Sequence, residues 1–153
     1  MKYLVLATVL TFSFISTSCA QNKKSAPAAV QDAFKAKFPN LQKAKWDMED
    51  DNEWEAEFKM NGHEMSANFK SDGTWLETET EIKTASLPQA VKDDITANFA
   101  GYEMEEASLV ETPEMAAAYE VELEKGETTI EALFSAEGKL LKQKKEEEDD
   151  DEN

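Results

Sequence analysis

From Pro27 onward the chain switches between two hydrophobic periods, and it makes the switch twice. Val30, Ala33, Phe34 and Phe38 fall at i, i+3, i+4 and i+8, the spacing of one face of an α-helix. Pro27 is tolerated in the first turn, where no intrahelical N–H is needed, and Pro39 stops the helix. The period then drops to two. Residues 43–48, 53–60, 64–70 and 74–82 alternate as strands, with turns at Asp50-Asp51-Asn52, Asn61-Gly62 and Asp72-Gly73. The succession returns with Pro88, Val91, Ile95 and Phe99, where Ser86-Leu87-Pro88-Gln89 has the form of a capping box and Gly101 ends the helix. Strands follow at 102–110, 118–124, 128–135 and 138–145, with turns at Lys125-Gly126 and Glu137-Gly138.

The spacing makes the repetition quantitative. Pro27 and Pro88, Val30 and Val91, and Phe38 and Phe99 are each 61 residues apart. Trp54 and Tyr119, Phe69 and Phe134, Gly73 and Gly138, and Leu76 and Leu141 are each 65 apart, so four residues enter between Phe99 and Tyr119, near Thr112-Pro113-Glu114. The pattern predicts an α+β fold of two tandem repeats, 27–83 and 84–145. Each is a helix followed by a four-stranded antiparallel sheet, and the helices lie on one sheet face.

Alternation also predicts which face each side chain takes. Trp54, Ala56, Phe58, Met60, Met65, Ala67 and Phe69 point to the helix, with Leu76, Thr78, Thr80 and Ile82 completing that side. Trp75, Glu53, Glu55, Glu57, Glu77, Glu79 and Glu81 point away from it. In the second repeat Tyr119, Val121, Leu123, Ile130, Ala132 and Phe134 point inward, and Glu120, Glu122, Glu124, Glu131, Leu133 and Leu140 point outward. Trp75 and Leu140 therefore take matching outward positions within a field of glutamates. That is the pattern of an apolar anchor pair with acidic steering groups around it.

Charge narrows the partners. The 153 residues carry 33 acidic and 16 basic side chains, a formal net charge of −17, which argues against nucleic acid and favours basic proteins, basic peptides or cations. Part of this charge sits in residues 146–153, where seven consecutive acids predict a disordered tail. At the other end, Lys2 precedes an apolar run from Leu4 to Ile15, too short to span a membrane and of the right length for a signal peptide over 1–20. Cys19 ends it at the place of a lipidated bacterial lipoprotein cysteine, the favoured reading, while Ser18-x-Ala20 equally forms a small-x-small site cleaved before Gln21. Residues 21–26 read as a tether. The protein is expected in the periplasm or at the outer membrane, touching membrane only through that anchor.

Candidate chemistry is sparse. There is one histidine and one cysteine, with no phosphate-binding glycine loop and no nucleophile elbow, so no catalytic residue is assigned. Met60-x-x-His63-x-Met65 has soft ligands for copper(I), but alternation sends both methionines to the core. Residues 47–53 lack the Asp-x-Asp-x-Asp-Gly form of a calcium loop. No metal or cofactor is expected.

Several motifs together resemble the PepSY-like family of exported bacterial proteins, the β-lactamase-inhibitor-like proteins. They are Val30-x-x-x-Phe34-x-x-x-Phe38-Pro39, Lys45-Trp46, Trp54-Glu55-Ala56-Glu57-Phe58, Phe69-x-x-Asp72-Gly73-x-Trp75-Leu76, Leu87-Pro88, Tyr119-Glu120-Val121-Glu122-Leu123 and Gly138-Lys139-Leu140-Leu141. The resemblance implies a helix-plus-sheet fold with an open sheet face that meets a protein target. It supplies no inhibitory loop that matches residue by residue, so β-lactamase inhibition is not carried over. The combined expectation is an exported, non-enzymatic protein docking a basic or amphipathic envelope protein segment, possible peptidase regulation included by analogy. The binding residues would be Trp75, Leu140, Leu133, Glu55, Glu57, Glu77, Glu79, Glu81, Glu120 and Glu122. The alternative is a periplasmic carrier or buffer of a cation or small molecule.

Overall fold

Helix α1 (Ala28–Lys37) forms where the 3.6-residue stripe places it, with Lys35 and Lys37 in its last turn against the negative end of the helix dipole. It buries Val30 and Phe34 completely or nearly so, and Phe38 closes it by donating its N–H to the Phe34 carbonyl at 2.8 Å. Four strands follow, β1 (Lys45–Asp50), β2 (Glu53–Met60), β3 (His63–Lys70) and β4 (Trp75–Ile82). A short 3₁₀ turn (Thr84–Ser86) leads to α2 (Gln89–Asn98), and β5 (Glu103–Glu111), β6 (Ala118–Lys125), β7 (Thr128–Ser135) and β8 (Leu140–Lys145) follow. The computed structural model describes residues 25–50 and 52–145. The expected signal peptide with Cys19, residues 21–24 of the tether and the acidic tail lie outside these residues.

The strands form one antiparallel sheet in the order β1-β2-β3-β4-β5-β6-β7-β8. β4 pairs with β5 from Thr78 opposite Glu111 to Ile82 opposite Ala107, so the two expected four-stranded groups share one continuous eight-stranded sheet. Both helices cover the same face. Under α1 the core is Trp54, Ala56, Phe58, Ala67 and Phe69, and under α2 it is Ala107, Val121, Leu123, Ala132 and Phe134. Phe34 is the hub of the first cluster, with ring centroids 5.1–5.3 Å from Phe38, Trp46 and Phe58. Each fully buried large side chain of this kind contributes about 1.5–3 kcal/mol, which makes the two helix–sheet interfaces the main source of stability.

Two local expectations change. The capping box does not form: α2 is capped by Pro88 without a side-chain hydrogen bond, because Ser86 is drawn into the preceding 3₁₀ turn. In addition, β5 has nine residues where β1 has six, so part of the extra length of the second half lies in the strand itself.

The larger correction concerns Trp75 and Leu140. Phe69 stands opposite Trp75, yet its neighbour Asn68 stands opposite Glu77, which leaves Leu76 as the extra residue of a β-bulge. In the same way Phe134 faces Leu140 while Leu133 faces Lys142, with Leu141 left over. Each bulge reverses the alternation at the start of its strand. Trp75 and Leu140 consequently pack on the helix side against the two core clusters, and neither can serve as an outward anchor. Trp75 is tied down there: its indole N–H donates to the Glu77 carbonyl at 2.6 Å and to the Thr78 hydroxyl at 3.0 Å, and the Lys37 ammonium lies 3.4 Å from its ring centroid.

Candidate binding face

The face away from the helices carries the glutamates. β2 contributes Glu55 and Glu57, opposite Asn68 and Ser66 of β3, and β4 contributes Glu77, Glu79 and Glu81. Glu120 and Glu122 come from β6, opposite Leu133 and Glu131 of β7. The bulges that turn Trp75 and Leu140 inward also set this face: after Leu76 the outward positions are glutamates, and after Leu141 they are Lys142 and Lys144.

This face is concave. One depression on it is lined from Lys45 on β1 across to Glu106 and Ser108 on β5, and another from Glu79 on β4 across to Glu131 on β7, so the sheet curls toward this side. The same curl allows Glu131 on β7 to act on Glu79 on β4.

Crowding on the inside of the curve suppresses ionisation. Burial is the first cause at Glu79, followed by repulsion from Glu120, Glu77, Glu55 and Glu131, and its carboxyl is pushed up to about 8. Glu120 is raised by burial and then by Glu131 and Glu77, with Lys142 and Lys144 opposing. Glu77 is raised by burial and then by Glu53, with Lys142 opposing. These three half-buried carboxylates form the centre of the trough. At neutral pH Glu79 therefore keeps its proton in good part, and an incoming cation displaces that proton and restores the ionised form.

The rims differ from the centre. Lys45 donates to both carboxylate oxygens of Glu57 at 3.0 and 3.1 Å and lies 2.9 Å from Asp47, which holds its ammonium well above the usual lysine range. Lys59 pairs with Glu64 at 3.1 Å. Glu57 and Glu81 are exposed, whereas Glu55 and Glu122 are half-buried. A depression of about 190 Å³ at the centre is lined by Glu79, Glu106, Ser108, Glu120, Glu122 and Glu131. Leu133 is half-buried on this face between Glu120 and Lys142.

The candidate residues therefore separate into two groups. Glu55, Glu57, Glu77, Glu79, Glu81, Glu120, Glu122 and Leu133 share the concave face. Trp75 and Leu140 are behind the sheet, and Cys19 lies outside the described residues. Pattern reading did not single out Lys142 and Lys144, which follow the second bulge on this face, or Glu106, which a third bulge between Met104 and Ala107 brings into the trough. The adjacent apolar pairs Trp75-Leu76 and Leu140-Leu141 were the available signal, because two consecutive apolar residues cannot both obey strict alternation. Among the described residues, no group of three or more His, Cys, Asp or Glu is arranged to hold a metal ion.

The chain resembles solved structures over most of its length. A BLIP-like protein from Bacteroides fragilis is 28% identical, with a TM-score of 0.66, covering 85% of this chain and 94% of that one. A DUF2874 family protein from Bacteroides uniformis is 25% identical, with a TM-score of 0.68 over 79% of this chain and 90% of that one. A protein from Bacteroides eggerthii, described among "putative periplasmic proteins", is also 25% identical at a TM-score of 0.68, covering 80% and 90%. No curated protein matches. Residues 52–142 match the family described as "Putative beta-lactamase-inhibitor-like, PepSY-like". With that match spanning more than half of its length and the eight-stranded sheet with two helices of a BLIP-like fold, the chain belongs to the PepSY-like, β-lactamase-inhibitor-like family.

Proposed function

We propose that this protein is an exported, non-enzymatic binding protein whose concave face docks a basic segment of an envelope protein. One observation carries the reading: Glu77, Glu79 and Glu120 are crowded into a trough that suppresses their ionisation, and a Lys or Arg side chain entering it relieves that repulsion. The lysines at the rims limit entry to the middle of the face, and Leu133 supplies an apolar contact between Glu120 and the Lys142 rim. The family supports a binding role over catalysis, since its description is that of an inhibitor-like protein. The periplasmic description of a structural relative supports an extracytoplasmic site of action. The position of Cys19 at the end of the apolar run supports its acylation as the anchor. The matched spacings of 61 and 65 residues support an origin of the two halves as copies of one helix-plus-sheet unit.

The test is crosslinking in intact cells from a photoreactive residue in place of Leu133, with the same residue in place of the exposed Ala97 on α2 as control. The expected result is one dominant envelope-protein adduct from position 133 only, lost when Glu79 and Glu120 are replaced by Lys. Equal adducts from both positions would remove the proposal.

A further inference from the structure

The opposite side of the sheet holds a second depression that the acidic trough does not involve. It has a volume of about 310 Å³ and lies where the end of α1 meets the strands, lined by Lys37, Phe38, Pro39, Met60, Met65, Thr78 and Glu111, with Asn40 at its edge. That size is at the lower end of the range for small-molecule sites. Phe38 is buried, and Met60 and Met65 are partly buried against the first core cluster, so they form an apolar floor with the adaptability of unbranched thioethers. Two opposite charges frame it. Lys37 comes from the helix layer, its ammonium held over Trp75, and Glu111 comes from the sheet, opposite Thr78 at the end of β5.

The second half of the chain shows what a filled version looks like. Lys125 stands 65 residues after Met60, and its ammonium donates to the Ala100 carbonyl at 3.0 Å and lies 5.4 Å from the Tyr102 ring. It passes within 3.0 Å of the β-carbon position of Gly101, which is 61 residues after Asn40. Asn98 stands 61 residues after Lys37, so the cation of the groove edge is missing there as well. The first half thus keeps open, and frames with charge, a space that the second half closes with its own lysine.

We propose that the Lys37–Glu111 groove binds a small zwitterion with an apolar side chain, an α-amino acid of the leucine, methionine or phenylalanine class. Its carboxylate pairs with Lys37, its ammonium pairs with Glu111, and its side chain rests on Met60, Met65 and Phe38. A partner segment could reach neither charge in the same way, because an internal residue of a peptide carries no free ammonium or carboxylate on its backbone.

Titration of the folded protein with free L-phenylalanine, followed by NMR of the methionine methyl groups and the Trp75 indole N–H, tests this. Saturable shifts at Met60, Met65 and Trp75 are expected at millimolar ligand. Lys37→Ala and Glu111→Gln should each weaken binding about fivefold or more, roughly the loss of one charged contact. Phenethylamine and phenylpropionate, which each keep one charge, should bind more weakly by a similar factor. Met60→Lys, which copies the second half, should abolish the shifts while leaving the rest of the spectrum folded. The absence of shifts, equal binding of the singly charged analogues, or equal binding to the Lys37 and Glu111 variants would each overturn the proposal. Glu79→Gln serves as an independent control, since it alters the acidic trough and leaves this groove intact.

Discussion

Gly73 lies directly beneath the first turn of α1: a β-carbon added to it would stand 2.7 Å from the carbonyl oxygen of Ala29, closer than real β-carbons come. The β3–β4 turn and the helix are therefore in backbone contact, with no side chain between them. Gly138 makes the same approach to the Ala90 carbonyl under α2. Both glycines also adopt positive φ, of 89° and 83°.

Gly73→Ala and Gly138→Ala should each cost about 3 kcal/mol or more, because the helix must move as well as the turn adopt a strained φ. Gly62→Ala and Gly126→Ala isolate the backbone part, since both positions have positive φ and nothing within 4 Å of the added carbon. They should cost only about 1–2 kcal/mol. Urea denaturation of the four variants checks the comparison, and equal losses would show that the helix contact contributes nothing.

Trp75 offers a second test of packing. As a side chain against the first core, bonded to Thr78 and covered by Lys37, its replacement by Ala should cost about 2–4 kcal/mol. An outward Trp in solvent would cost within about 0.5 kcal/mol. Thermal unfolding of Trp75→Ala separates these, and Leu140→Ala should repeat the result under α2.

How much of this was legible in the sequence follows from the same residues. Period alone located both helices and all eight strands, because Val30, Phe34, Val91 and Ile95 show the helical stripe and Trp54 to Phe58 and Val121 to Leu123 show strict alternation. The glutamate face was legible for the same reason. The positions of Trp75 and Leu140 were not, since a bulge inserts one residue and inverts every side chain on the far side of it. Pairing of β4 with β5 was hidden as well: Thr78, Thr80 and Ile82 look like a weak edge strand until Leu109 and Ala107 are placed beside them. The curvature that gathers Glu79, Glu120 and Glu131 around one depression depends on the whole sheet and leaves no local trace in the chain.

The suppressed ionisation in the trough has a pH consequence. Glu79 has a folded pKa raised to about 8 from an ordinary 4.5, so the folded state holds a proton that the unfolded state has released. This favourable proton-linked contribution is fully present below pH 4.5 and is lost as pH rises through about 8. Glu77 and Glu120 shift in the same direction. Chemical denaturation at pH 6 and pH 9 should show lower stability at pH 9, and Glu79→Gln should remove a large part of that difference, stabilising the protein at pH 9 by about 1–3 kcal/mol. An unchanged pH slope in Glu79→Gln would mean that Glu79 ionises normally.

The central claim is that the concave face, and not the acidic chain in general, recognises positive charge. Titration with an arginine-rich peptide, followed residue by residue by amide NMR at low and at physiological salt, tests it most directly. The account predicts saturable shifts concentrated on β4, β6 and β7 around Glu79, Glu120 and Leu133, surviving physiological salt and weakened about tenfold by Glu79→Lys with Glu120→Lys. Shifts confined to residues 146–153, or spread evenly over every acidic position and abolished by salt, would contradict it.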